Sequence, residues 1–168
     1  MKTIKFIKTA AVASSLIFVV SCQKGKEYAL NEAMAEEFYK TKQQYEDTYK
    51  AFMADVENGG KGSATVLPKI EAMEKTVNEG ITNVIKVQVP TPESTEMIEE
   101  FENYLAFGKG AFGYHLKSYY TEEKPEMKED AVNVVKEEYQ KIGAQEDKLL
   151  EVQREYFKKV GLEGKMPE

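Results

Sequence analysis

Apolar residues recur at helical spacing through most of the chain. Between residues 28 and 58, Met34, Phe38, Tyr45, Tyr49, Phe52 and Val56 fall three, four or seven positions apart. Glu36, Glu37, Lys40, Lys42, Gln43, Glu46 and Asp47 occupy the other faces. A period near 3.6 puts one apolar stripe on a helix. Gly59-Gly60-Lys61-Gly62 ends it, because glycine takes the left-handed conformation on which helices stop. Residues 66–87 repeat the pattern with Leu67, Ile70, Met73, Val77, Ile81 and Val84. Pro68 is expected in the first turn, where a missing N–H costs little. Val87 to Pro92 reads as extended, since two prolines one residue apart do not sit inside a helix.

Thr91 is then expected to cap a helix over 92–121, with Pro92 at its first position. Ile98, Phe101, Leu105, Phe112 and Tyr119 make its stripe, with Gly108 and His115 on the same face. Pro125 opens the last helix, 125–160, in which Val135, Ile142, Leu149 and Tyr156 are seven apart, the interval of bundle packing. Residues 162–168 read as a flexible tail. The fold class expected is all-α: an up-down-up-down four-helix bundle over 28–161.

The first 21 residues follow a different pattern. Lys2, Lys5 and Lys8 precede a nearly unbroken apolar run from Thr9 to Ser21, the layout of a secretory signal. The run is short of the roughly 20 apolar residues that a membrane-spanning helix needs. Val19-Val20-Ser21-Cys22 resembles the lipobox of bacterial lipoproteins, in which aliphatic and small residues precede an invariant cysteine. The resemblance covers residues 1–22 only, and valine at Val19 departs from the usual leucine. It implies cleavage between Ser21 and Cys22, diacylation of the cysteine sulfur and acylation of the new amino group. Two or more acyl chains anchor stably where one is marginal. Cys22 would then be an anchor, followed by a polar tether over 22–27. The alternative is an ordinary signal peptide with Cys22 a bystander. In that family an aspartate after the cysteine tends to retain the protein in the inner membrane. Gln23 stands there instead, which favours the outer membrane facing the periplasm, with exposure on the cell surface as the other arrangement.

Loss of the leader would remove three of 23 basic residues and none of the 29 acidic ones, leaving a net charge near −9 over 147 residues. A chain of that length suits one domain with a real core. Its single cysteine precludes an intramolecular disulfide. An acidic chain without a basic stripe argues against nucleic acid as a partner. The partners expected are the membrane, through Cys22, and an envelope protein or small ligand; self-association is a further option.

Chemistry is sparse. Gly108-Lys109-Gly110-Ala111-Phe112-Gly113 fits the dinucleotide fingerprint, but that motif works only between a strand and a helix. Here an amphipathic helix precedes it. The stretch reads instead as a place for close helix contact or a kink, or as the wall of a cavity with Phe107 and Tyr114. His115 is the only histidine, which excludes every multi-histidine metal site, and no cofactor is expected. A b-type haem held by His115 and Met34 or Met73 is the alternative. Tyr119-Tyr120 reads as an exposed aromatic pair. Adjacent carboxylates such as Glu36-Glu37 and Glu137-Glu138 point about 100° apart on a helix and do not share a site. No nucleophile, base and orienting group stand at a catalytic spacing, so no enzyme is expected. The face formed by Gly108, Gly110, Phe112, Gly113, His115, Tyr119 and Tyr120 is the candidate site for a ligand or partner. The function expected is lipid-anchored binding; the alternatives are a carrier of an apolar or haem-like ligand in the bundle core, and an envelope enzyme.

Overall fold

The computed structural model describes residues 22–87, 91–122 and 124–165. The leader with Ser21, most of the 87–92 connection and the last three residues lie outside them. The described residues form an all-helical bundle of four rods without a strand. The first rod is α1 (Cys22–Glu57) and the second α2 (Ser63–Ile85). The third is built from α3 (Pro92–Phe107), a π-helical turn (Gly108–Phe112) and α4 (Gly113–Thr121). The last is α5 (Pro125–Val160), followed by a 3₁₀ turn (Glu163–Lys165). Tyr156 donates to the backbone oxygen of Glu27, so α5 runs antiparallel to α1. Lys117 on α4 pairs with Glu74 on α2 at 2.7 Å, and Lys109 bonds Asn78 at 2.8 Å, so the third rod runs against α2. The topology is up-down-up-down.

Several boundaries differ from the sequence reading, each for a tertiary reason. α1 begins at Cys22, so the expected tether is helical. Glu27 is 2% exposed there, and its carboxylate accepts from the hydroxyls of Tyr156 and Thr91, which holds the first turns of α1 on the bundle. α2 begins at Ser63, which leaves Pro68 inside it rather than in its first turn. The carboxylate of Asp55 accepts from the N–H of Gly62 and fixes that earlier start. Thr91 caps α3 as expected: its hydroxyl accepts from the Ser94 N–H at 3.1 Å, and Ser94 Oγ accepts from the Thr91 N–H at 3.1 Å. Such a reciprocal cap satisfies two donors that a helix start otherwise leaves open. Gly161, at φ 71°, stops α5. Beyond it Leu162 is buried, so the expected flexible tail is packed as far as that residue.

The core runs the length of the bundle, from Leu30, Met34, Tyr45 and Phe52 on α1 to Val135, Ile142, Leu149 and Tyr156 on α5. The π turn sits in its middle. The ring of Tyr45 fills the space where a side chain at Gly108 would stand, and its hydroxyl donates to the Leu105 carbonyl at 3.1 Å. A Cβ at Gly108 would lie 2.1 Å from Tyr45 Cζ, on a ring that is 1% exposed and packed against Tyr104 and Phe112. Overpacking of this kind costs about 1–3 kcal/mol and sometimes more. Alanine recovers only about 1 kcal/mol of helix propensity. Gly108→Ala is therefore expected to be destabilised by up to about 2 kcal/mol, a fall of up to roughly 4–8 °C in Tm. Gly110 has nothing within 4 Å of an added Cβ, so Gly110→Ala is expected to be neutral or slightly stabilising. Thermal melts of the two variants check the contrast.

Candidate functional site

The glycine and aromatic positions of the third rod do not converge on one site. Gly108 packs on Tyr45, and Gly113 on the Met73 methyl, 3.3 Å from an added Cβ. Phe112 is buried within about 6 Å of the rings of Tyr45, Tyr49 and Tyr139. Gly110 and Tyr114 face outward. His115 is half-buried beside the ring of Tyr114 at 5.2 Å. Tyr119 and Tyr120 are not an exposed pair: Tyr119 is 4% exposed against Phe52, and Tyr120 is half-buried, donating to Asp55 at 2.9 Å. These residues stitch α4 to the α1–α2 turn. Among the described residues, no three His, Cys, Asp or Glu side chains are grouped to hold a metal ion.

Open volume lies elsewhere, along the seam between α1 and α5. There the two helices stand apart, and α3 shows between them as a floor. A trough of about 270 Å³ opens over Met34, Phe38, Met97, Phe101 and Leu149. Its rim is Asn31, Glu32, Ala35 and Tyr39 on α1, and Leu150 and Gln153 on α5. Tyr39 is 60% and Leu150 41% exposed, two apolar side chains left in water above a floor that is itself buried.

Cross-links between α1 and α5 bound the trough. Gln153 donates to Asn31 at 2.6 Å near one end. At the other, Lys42 pairs with Glu146, whose second oxygen accepts from the Tyr104 hydroxyl at 3.3 Å. Beyond that pair lies a more polar hollow of about 250 Å³, lined by Lys42, Tyr45, Glu46, Tyr139, Ile142 and Glu146 among others. It adjoins Tyr49 and Tyr139, whose rings stack at 3.8 Å and 5°. Burial, then the carboxylates of Glu46 and Glu146, push the Tyr139 phenol up to about 12. Burial first and Glu146 second raise Tyr45 and Tyr104 further still. Tyr45 and Tyr104 use their protons as donors, to the Leu105 carbonyl and to Glu146.

This seam was missed in the sequence because it depends on the distance between two helices 100 residues apart. One signal was present. Tyr28, Glu32, Ala35 and Tyr39 form a second stripe on α1, at spacings of four, three and four, beside the core stripe. No known protein family matches the chain, and no curated protein or solved structure matches it at a significant level.

Proposed function

We propose that the chain is a lipid-anchored protein of the bacterial cell envelope that acts by binding a protein or small ligand, not by catalysis. The observation that carries the binding half is the apolar trough between α1 and α5. The lipobox-like Val19-Val20-Ser21-Cys22 carries the anchoring half. The two belong together in space. α1 starts at Cys22 without a break, and Asn31, at the trough's near end, is nine residues on, or about 14 Å along a helix axis. Among the described residues no helix is long and apolar enough to cross a membrane, so in this reading the acyl chains supply the attachment. Gln23 favours the outer membrane, facing the periplasm.

The trough has the makeup of a binding site: a mostly apolar wall with a few polar groups at its edge. The same trough favours a carrier of an apolar small ligand as the second reading. His115 lies outside it, which separates that reading from haem.

Intact mass separates anchored from unanchored chains. Wild type is expected to start at Cys22 and to carry the added mass of its acyl groups. Cys22→Ala is expected to keep its leader and to carry none. A wild type with a free thiol at Cys22 overturns the anchoring half.

A further inference from the structure

The outer side of the α1–α5 seam carries two stripes of the same spacing. Tyr28, Glu32, Ala35 and Tyr39 on α1 stand four, three and four residues apart, and so do Gly143, Asp147, Leu150 and Arg154 on α5. Intervals of three and four keep each stripe on one helix face. Three of the six large apolar side chains exposed among the described residues, Tyr28, Tyr39 and Leu150, fall on these stripes. The Asn31–Gln153 bond sets the register between the two helices. Counted from it, Arg154 stands at the height between Tyr28 and Glu32, and Leu150 at that of Met34 and Ala35. Tyr39 stands at the height between Asp147 and Gly143.

The stripes differ in charge and size, and the differences match. Glu32 and Arg154, the chain's only arginine, are both exposed, and neither makes an ion pair among the described residues. Tyr39 projects into water, whereas an added Cβ at Gly143 would meet nothing within 4 Å. Ala35 is small where Leu150 is large. A second copy, turned about an axis that runs along the seam, lays its α5 on this α1 at the same height. Each Arg154 then enters between Tyr28 and Glu32 of the other copy, where carboxylate and ring face both attract a guanidinium. Each Tyr39 ring meets the gap at Gly143, and each Leu150 meets Ala35. Turned end over end about Leu150 instead, the copy would set Leu150 on Leu150 and Tyr39 on Tyr28, large on large. The first arrangement also puts both Cys22 residues at one end of the dimer, as two anchors in one membrane require.

The size of the face sets the strength. Two adjacent helices are roughly 20 Å wide. Tyr28 and Glu46, which borders Gly143, stand 18 residues apart, or about 27 Å along α1. The footprint is therefore roughly 540 Å² on each copy and about 1,100 Å² in all, just above the threshold of about 1,000 Å² for a specific contact. Such a dimer is weak and reversible.

We propose that the α1–α5 face binds a second copy of this chain in a parallel twofold dimer, with Arg154 of each copy held by Tyr28 and Glu32 of the other. This rests on the binding half of the reading above, for which it names the protein bound, and not on acylation of Cys22.

The test uses the full chain, extracted in a neutral detergent and followed by sedimentation velocity at rising micromolar concentration. Wild type is expected to pass reversibly from monomer to dimer. Glu32→Arg and Arg154→Glu are each expected to raise the dissociation constant at least about tenfold, since the symmetry breaks two pairs at once. Combined, they rebuild the pair with its charges exchanged and are expected to return to within about threefold of wild type. Gly143→Gln fills the gap offered to Tyr39 and is expected to weaken the dimer severalfold. Its Tm is expected to be unchanged or raised, because glutamine suits a helix better than glycine. Benzoylphenylalanine in place of Tyr39, photoactivated in a mixture of light and heavy chains, is expected to join residues 142–148 of the other copy. A monomer at every concentration overturns the proposal, and it is the result that the carrier reading predicts. A double variant no better than its singles overturns it too, as does rescue seen in Tm but not in sedimentation, which would place the pair within one chain. Cross-links from position 39 to the other copy's α1 overturn the parallel arrangement. The intact mass of the same samples reports Cys22 separately, so a dimer with a free thiol and a monomer with an acylated cysteine are distinct results.

Discussion

Between about pH 10 and pH 12 the protein is expected to lose its helices in one cooperative step, with the buried tyrosines ionising in that step and not before it. Tyr45, Tyr104 and Tyr156 are each 1% exposed. Burial is the largest cause that raises each of their phenols above the ordinary value of 10.0. Nearby carboxylates add to it: Glu146 at Tyr45 and Tyr104, Glu27 at Tyr156. The sign follows from proton binding. Below the unfolded pKa both states hold the proton and the contribution is complete. Above it the unfolded chain sheds protons that the folded chain keeps, so stability falls as pH rises. Each such tyrosine removes about 1.4 kcal/mol per pH unit, and three remove about 4. A domain of this kind has about 5–15 kcal/mol in all. Tyr139, raised to about 12, and the paired Lys40, Lys141 and Lys159, also raised, act in the same direction. Far-UV circular dichroism and tyrosinate absorbance, followed through one alkaline titration, check this. Full tyrosinate absorbance over an intact helical signal would show that the buried phenols reach water in the folded state.

The same residues explain what was legible in advance. Helix number, order and inner faces follow from local periodicity, and the seven-residue spacing of Val135, Ile142, Leu149 and Tyr156 describes the buried side of α5. Boundaries failed where a distant partner decides them. Nothing near Glu27 in sequence says that a glutamate will be buried; Tyr156, 129 residues away, supplies the donor. The π turn was legible only as a stretch poor in side chains, because its cause is the ring of Tyr45 on another rod. Tyr119-Tyr120 looked exposed at a helix end, yet α4 ends against the α1–α2 turn, where Gly60 leaves room for the Tyr119 hydroxyl. The trough is the extreme case, a property of the gap between helices and of neither helix alone.

Phe101→Ala is expected to cost about 3–5 kcal/mol, the range for truncating a buried aromatic ring. Phe101 is 0% exposed and stands under the trough, with the ring of Tyr104 at 6.5 Å on its other side. Two terms add. The ring loses its transfer from water, and the space it leaves joins a trough that is already open. Collapse from above is limited, because the Asn31–Gln153 and Lys42–Glu146 links fix the spacing of α1 and α5. The cost is therefore expected near the upper end of the range, with Tm lower by roughly 10–20 °C. Phe101→Leu keeps most of the volume and is expected to cost about 1–1.5 kcal/mol. Tyr39→Ala, on the exposed rim, is expected within about 0.5 kcal/mol of wild type. Urea unfolding with an unchanged m-value ranks the three. A small loss at Phe101 would mean that α1 and α5 close freely over the gap, and that the links between them follow their spacing instead of setting it. A large loss at Phe101 with none at Tyr39 would place the rigidity of the seam in its floor and leave its rim free for a guest.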